Sequence, residues 1–172
     1  MDKNISNSTK DIELLEFKAG GNSYGADIND IREILPYSSK PTPIPNSHPF
    51  LEGMIMPRDF IIPIINFGAS ILLDKQEEAK TTDNTAEGSL GLGKNEDMLI
   101  VTSIGNHNIA FHVDSVRGIH RVDASLIEKP GRKLTTKQKN VISGIYKTED
   151  RRIEIVDFRQ IIKNINQNVT VD

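Results

Sequence analysis

The sequence predicts a mainly β protein: two pseudo-repeated five-stranded antiparallel β-barrels packed side by side, with a C-terminal helix. Three observations lead there. Isoleucine supplies 24 of the 172 residues, and β-branched side chains suit pleated, half-buried strands. Short apolar segments recur between Gly, Asn and Pro clusters, the pattern of strands joined by turns. The chain also aligns with itself without gaps over two blocks. At one offset Leu14, Gly20, Arg32 and Ile34 fall on Leu99, Gly105, Arg117 and Ile119. At a second, Gly53, Asp59, Ile64 and Phe67 fall on Gly144, Asp150, Ile155 and Phe158. The matches lie at turn glycines and strand interiors, where backbone freedom and burial restrict residue type. Five strands suit a small barrel that removes its own edges, and two barrels side by side would bury a shared apolar seam.

In chain order, Ile12 to Lys18 and Ser23 to Ile28 read as strands around the hairpin turn Ala19-Gly20-Gly21-Asn22, because Gly and Asn accept positive φ. Ile31 to Leu35 is a third strand. Ile28, Ile31, Ile34 and Leu35 cannot all face one interior, because strand side chains alternate, so some are expected at a surface. Pro36 to Pro49 holds five of the eight prolines and reads as an irregular connection. Leu51 to Met56 and Phe60 to Phe67 follow as strands around Pro57-Arg58-Asp59. The second is apolar on both faces and is expected to be deeply buried. Residues 74–97 carry seven acids, three lysines and three glycines, the composition of a linker or flexible loop.

The second half repeats this grammar with strands at Met98 to Ile104, Asn108 to Val113, Ser115 to Val122, Val141 to Lys147 and Arg152 to Val156. A helical turn over Asp123 to Glu128 has Ser125 and Glu128 at capping-box spacing. Phe158, Ile161, Ile162 and Ile165 fall at i, i+3, i+4 and i+7, which predicts a helix over 158–166 capped by Asp157. The expected division is a first barrel repeat over 11–73, a linker over 74–97, a second repeat over 98–157, the helix, and disordered tails at 1–10 and 167–172.

Composition narrows the chemistry. With no Cys, thiolate metal sites and cysteine nucleophiles are excluded. A net charge of −3 argues against a general polyanion binder. The longest apolar stretch, Phe60 to Ile65, is far shorter than the roughly 20 residues of a membrane span, and the polar N-terminus has no signal core, so a cytoplasmic protein is expected. Gly88 to Lys94 nearly matches a phosphate-binding loop, but Asn95 stands where a hydroxyl is required and acidic residues follow. His48, His107, His112 and His120 have no metal-ligand spacing. No Gly-x-Ser-x-Gly elbow is present, and Asp59, Asp114 and Asp157 read as turn or cap residues. The five basic residues between Lys129 and Lys139 lack interleaved aromatics and read as a solvated loop, with docking of an acidic partner as a lesser alternative. No enzyme, metal or cofactor is expected. A nucleic-acid-binding small barrel is the alternative of another class.

Tyr24-Gly25-Ala26-Asp27-Ile28, Ile31-Arg32-Glu33-Ile34, the proline stretch to Pro45, Leu51-Glu52-Gly53 and Ile62-Pro63-Ile64-Ile65-Asn66-Phe67 resemble the CheW family of chemotaxis coupling proteins. Ala110 to Val116 and Val156-Asp157-Phe158 continue the match, so the resemblance covers about Ile12 to Asn166 and implies a CheW-like domain over 11–166. His48-Pro49, Phe111 to Val116, Gly118 to Arg121, Ile127 to Pro130 and Ile161 to Asn166 are more similar to the CheV branch, in which such a domain precedes a receiver domain. A stand-alone CheW coupler is the alternative. The resemblance implies a bacterial cytoplasmic adaptor, associated with membrane chemoreceptor arrays and without catalysis. Its implied partners are the cytoplasmic tip of a chemoreceptor (a methyl-accepting chemotaxis protein), docked in the groove between barrels, and the regulatory domain of the histidine kinase CheA, met by the barrel ends. By position Ile31 and Glu33 match receptor-contact residues, and Arg58 matches the arginine of the family's Arg-Gly turn. Asp59 replaces that glycine and Pro57 the preceding leucine, so the turn geometry is expected to differ.

Overall fold

The computed structural model describes residues 10–38, 40–72, 97–131, 134 and 136–169. The strands are β1 (Asp11–Ala19), β2 (Asn22–Asp27), β3 (Ile31–Pro36), β4 (Leu51–Ile55), β5 (Ile62–Asn66), β6 (Met98–Ile104), β7 (His107–Val113), β8 (Ser115–Asp123), β9 (Ile127–Glu128), β10 (Ile142–Lys147) and β11 (Arg152–Val156). The helices are α1 (Phe67–Leu72), α2 (Thr136–Val141) and α3 (Phe158–Val169). Two β sheets pack together, as the composition and repeat predict.

The strand order decides how the repeat is used. One sheet runs β8-β1-β2-β11-β10-β9 and the other β3-β6-β7-β5-β4. The hairpins aligned by the first offset have therefore changed places. β1–β2 is inserted between β8 and β11, and β6–β7 between β3 and β5. Gly20 and Gly21, at φ of 56° and 81°, and Gly105 at 59° make the tight turns of these two hairpins. The sheets correct the expectation of five-stranded antiparallel barrels in three respects. The first sheet has six strands, because β9 is added beside β10. Neither is closed by its hydrogen-bond ladder, and neither is wholly antiparallel, because β2 runs parallel to β11 and β7 to β5. These parallel pairs are the seams where an exchanged hairpin meets the other half.

The shared apolar seam is real. Leu15, Phe17, Tyr24 and Ala26 from one sheet meet Ile65, Ile100, Phe111 and Val113 from the other, with Phe67 and Phe158 between them. Phe67 and Phe158, aligned by the repeat, are the first residues of α1 and α3. The predicted apolar stripe of α3 is buried, and Asp157 Oδ1 caps it by accepting from the Arg159 amide at 3.0 Å. Asn66 does the same for α1, accepting from the Ala69 amide. The sequence reading had no helix at α1.

Other details differ. The turn after β8 is a 3-10 turn, Ala124–Leu126, capped by Asp123, while Glu128 joins β9. The basic segment read as a loop contains α2. The acidic linker up to residue 96, with the Gly88 to Lys94 motif, and the outermost tail residues lie outside the described residues, while α3 runs through Val169 into the stretch expected as a disordered tail. The paired glycines have a physical cause: a third segment of backbone crowds each. Thr42 bridges Met54 beside Gly53, and β9 pairs with β10 beside Gly144. Gly53 has φ of 151°, and a Cβ there would collide with the Thr42 carbonyl. Gly53→Ala is expected to cost several kcal/mol through backbone strain and lost bridging, on the order of 1–3 kcal/mol from the φ alone. A urea midpoint within error of wild type would exclude that crowding.

Candidate partner-binding site

β3 is an edge strand, and its alternation sorts the isoleucines that the sequence could not place. A register shift between Ile31 and Glu33 sends Ile31 against the shared core. Leu35 packs on a second cluster formed by Ile62, Ile64, Leu99, Val101 and Ala110. Arg32 and Ile34 face outward. Beside them the β4–β5 turn lifts Met56, Phe60 and Ile61 into solvent at 67%, 54% and 64% exposure. The expectation that Phe60 to Phe67 is buried throughout thus fails for its first two residues, because β5 begins only at Ile62.

Arg58 projects from this turn and reaches Glu33, Nη2 to Oε2 at 3.5 Å, while the Arg32 guanidinium lies 5.7 Å from the Phe60 ring centre. Of the three residues singled out, the fold brings Glu33 and Arg58 together at an edge. Ile31 stands apart, half-buried in the core. An exposed ion pair of this length contributes little to stability, under about 1 kcal/mol, so its constituents remain available to a partner. The repeat supplies an echo on β8, an edge strand of the other sheet. Ile119, matched to Ile34, is 57% exposed, and Arg117, matched to Arg32, is exposed beside it.

Between the end of β3 and β4 lies a cleft of about 530 Å³, lined by Leu35, Tyr37, Lys40, Met54, Ile55 and Ile61 among others. Behind Tyr37 sits a polar network. His112 Nδ1 is 2.8 Å from Glu52 Oε1, and Nε2 is 2.8 Å from Asp97 Oδ2. Asn66 Nδ2 donates to Glu52 Oε1 at 2.7 Å, and the Tyr37 ring stacks on the imidazole at 4.0 Å. Burial alone would push Glu52 up, but hydrogen bonds from His112 and Asn66 hold its carboxyl below the ordinary value. Burial, with the charge and hydrogen bond of Glu52, pushes the Tyr37 hydroxyl up.

The sequence reading also passed over a buried carboxylate. Glu16 is 1% exposed and is held by His120 and by Arg151 Nη1 at 2.8 Å. One signal was available: Glu16 interrupts the apolar run Leu14 to Phe17 at the position whose repeat counterpart is Val101. The acids around His112 grip opposite ring nitrogens and do not converge on a point, and among the described residues no cluster of three His, Asp or Glu is placed to hold a metal ion. No described helix is long and apolar enough to cross a membrane.

Two packed β sheets thus display apolar and charged side chains on their edge strands and on the β4–β5 turn. The chain matches the CheW-like domain family over residues 13–166 and belongs to it. It is 27% identical over 163 residues to the chemotaxis protein CheW of Thermotoga maritima, covering 95% of both chains. It is 22% identical over 161 residues to the chemotaxis protein CheW of Bacillus subtilis, covering 93% of both. Among solved structures it superposes on the scaffolding protein TtCheW of Thermoanaerobacter tengcongensis with a TM-score of 0.68 and 25% identity, covering 91% of each chain.

Proposed function

We propose that this domain couples the cytoplasmic tips of chemoreceptors to the histidine kinase CheA at membrane receptor arrays, without catalysing a reaction itself. The supporting observation is the edge formed by β3 and the β4–β5 turn. Exposed Ile34, Phe60 and Ile61 there surround the Glu33–Arg58 pair. A receptor's helical hairpin docking on this edge buries an apolar stripe, and the charges set its register. In this reading Glu33 and Arg58 contact the receptor directly, and Ile31 supports β3 from the core side. The CheV-like details support placing the domain ahead of a receiver domain, and the reading frame beyond Asp172 tests that assignment.

Charge reversal at Glu33 tests the coupling role. Glu33→Arg is expected to weaken binding of a receptor-tip fragment about tenfold or more, the effect of about 1.4 kcal/mol, with the melting temperature little changed. The double variant Glu33→Arg/Arg58→Glu is expected to keep the ion pair but not the receptor. Unchanged receptor affinity in both variants removes this edge as the docking site. Failure of the wild-type protein to bind either receptor tip or kinase removes the coupling function.

A further inference from the structure

Both ring nitrogens of His112 face carboxylates: Nδ1 lies 2.8 and 2.9 Å from the two Glu52 oxygens, and Nε2 lies 2.8 Å from Asp97. A neutral imidazole has one N–H and one lone pair, so it can satisfy only one of them. With both acids ionised, the arrangement requires the imidazolium. The network spans five places in the chain: β4 through Glu52, β5 through Asn66, β7 through His112, the residue entering β6, and the residue leaving β3. The last two are joined through the backbone, because the Tyr37 amide donates to the Asp97 carbonyl at 3.0 Å.

The geometry points to His112 as a proton-operated latch on the cleft beside Tyr37. Protonated, it clamps the corner made by Tyr37 and Asp97 onto β4 and β7. Deprotonated, it releases Asp97 and loosens the Tyr37 wall.

Asp97 is the partner that lets go. When the imidazolium loses a proton, one nitrogen presents a lone pair to a carboxylate, and that contact becomes repulsive. Glu52 keeps the remaining N–H and is held besides by Asn66 and by the Tyr37 hydroxyl. The Asp97 side chain has only His112 among the described residues and is 33% exposed, so water can replace the lost donor. The Asp97 carbonyl that accepts from the Tyr37 amide then loses its side-chain anchor, and Tyr37 lines the cleft.

The groups facing His112 also fix the direction in pH. They are Glu52 from β4, Asp97 before β6, Tyr37 after β3 and neutral Asn66 from β5. Burial alone would lower the His112 pKa, but the two acidic partners outweigh it and leave the value above the ordinary 6.5. A group raised in the folded state stabilises fully below its unfolded value, and that contribution disappears as pH rises through the folded one. The latch is therefore closed at and below about pH 6.5 and opens on the alkaline side. Glu52, lowered from 4.5, sets the opposite limit, since its contribution fades as pH falls through its folded value.

The inference is independent of the coupling function and is tested on the intact protein by NMR. Ring nitrogen shifts of His112 are expected to show an imidazolium with a titration midpoint above 6.5. The protection factor of the Tyr37 amide, corrected for intrinsic base catalysis, is expected to fall at least tenfold across the same midpoint. That of the Met54 amide, bonded to the Thr42 carbonyl, is expected to stay level. Asp97→Asn removes one charge and is expected to move both the midpoint and the Tyr37 step toward lower pH together. A His112 midpoint at or below 6.5 overturns the latch, as does a high midpoint with Tyr37 protection flat across it.

Discussion

Neither half of this chain is expected to fold alone. Residues 11–72, expressed without the rest, should give a disordered amide spectrum and no cooperative melt, and residues 97–169 should do the same. The reason is the hairpin exchange. In the first fragment β1 loses its eight-residue register with β8, β2 loses β11, and β3 and β5 lose the β6–β7 hairpin that lies between them. What remains is two separate two-stranded hairpins and a lone strand, and isolated hairpins are marginal in water. Mixed in equal amounts, the fragments are expected to regain a folded complex, because every missing partner is supplied by the other. A cooperative melt from 11–72 alone would show that the first repeat is an autonomous unit.

Phe158→Ala is expected to be the most damaging single truncation. The side chain is 1% exposed, stacks on Phe111 at 4.3 Å and stands 6.0 Å from Phe17 and 6.3 Å from Phe67. It joins both sheets and opens α3, so no single element can move in to fill the space. Phe→Ala in such a setting costs about 3–5 kcal/mol, against a typical total of about 5–15 kcal/mol. At roughly 2–4 °C per kcal/mol for a chain of this size, the melting temperature is expected to fall by about 6–20 °C. A loss below about 1 kcal/mol by urea denaturation would mean that the ring cluster is not the centre of the fold.

Much of the architecture was legible because it rests on local rules. Gly20-Gly21-Asn22 makes a hairpin wherever it occurs between strands, and the 3.6-residue spacing of Phe158, Ile161, Ile162 and Ile165 can bury only one helical face. Gly53 and Gly144 align because a third backbone segment crowds both. The site was legible only in part. Glu33 and Arg58 were named from the family's motifs, but nothing local brings them together, since 25 positions separate them. Ile31 was open between core and surface, and a register shift placed it on the core side. Phe60 and Ile61 mislead for the opposite reason: an apolar run carries no mark of where its strand begins.

By itself, then, the sequence determined ten of the eleven strands, the C-terminal helix, the hairpin turns, the duplication and the absence of thiol chemistry, because each depends on residue type within a few positions. Tertiary structure alone decided which strands share a sheet. Two equivalent hairpins can pair with their own half or with the other, and the aromatic seam around Phe67 and Phe158 accompanies the exchanged arrangement. It also decided which charges meet. Glu33 with Arg58, Glu16 with Arg151, and His112 with Glu52 and Asp97 are encounters between distant segments, and the energy of a charge depends on what the fold places within a few ångströms of it.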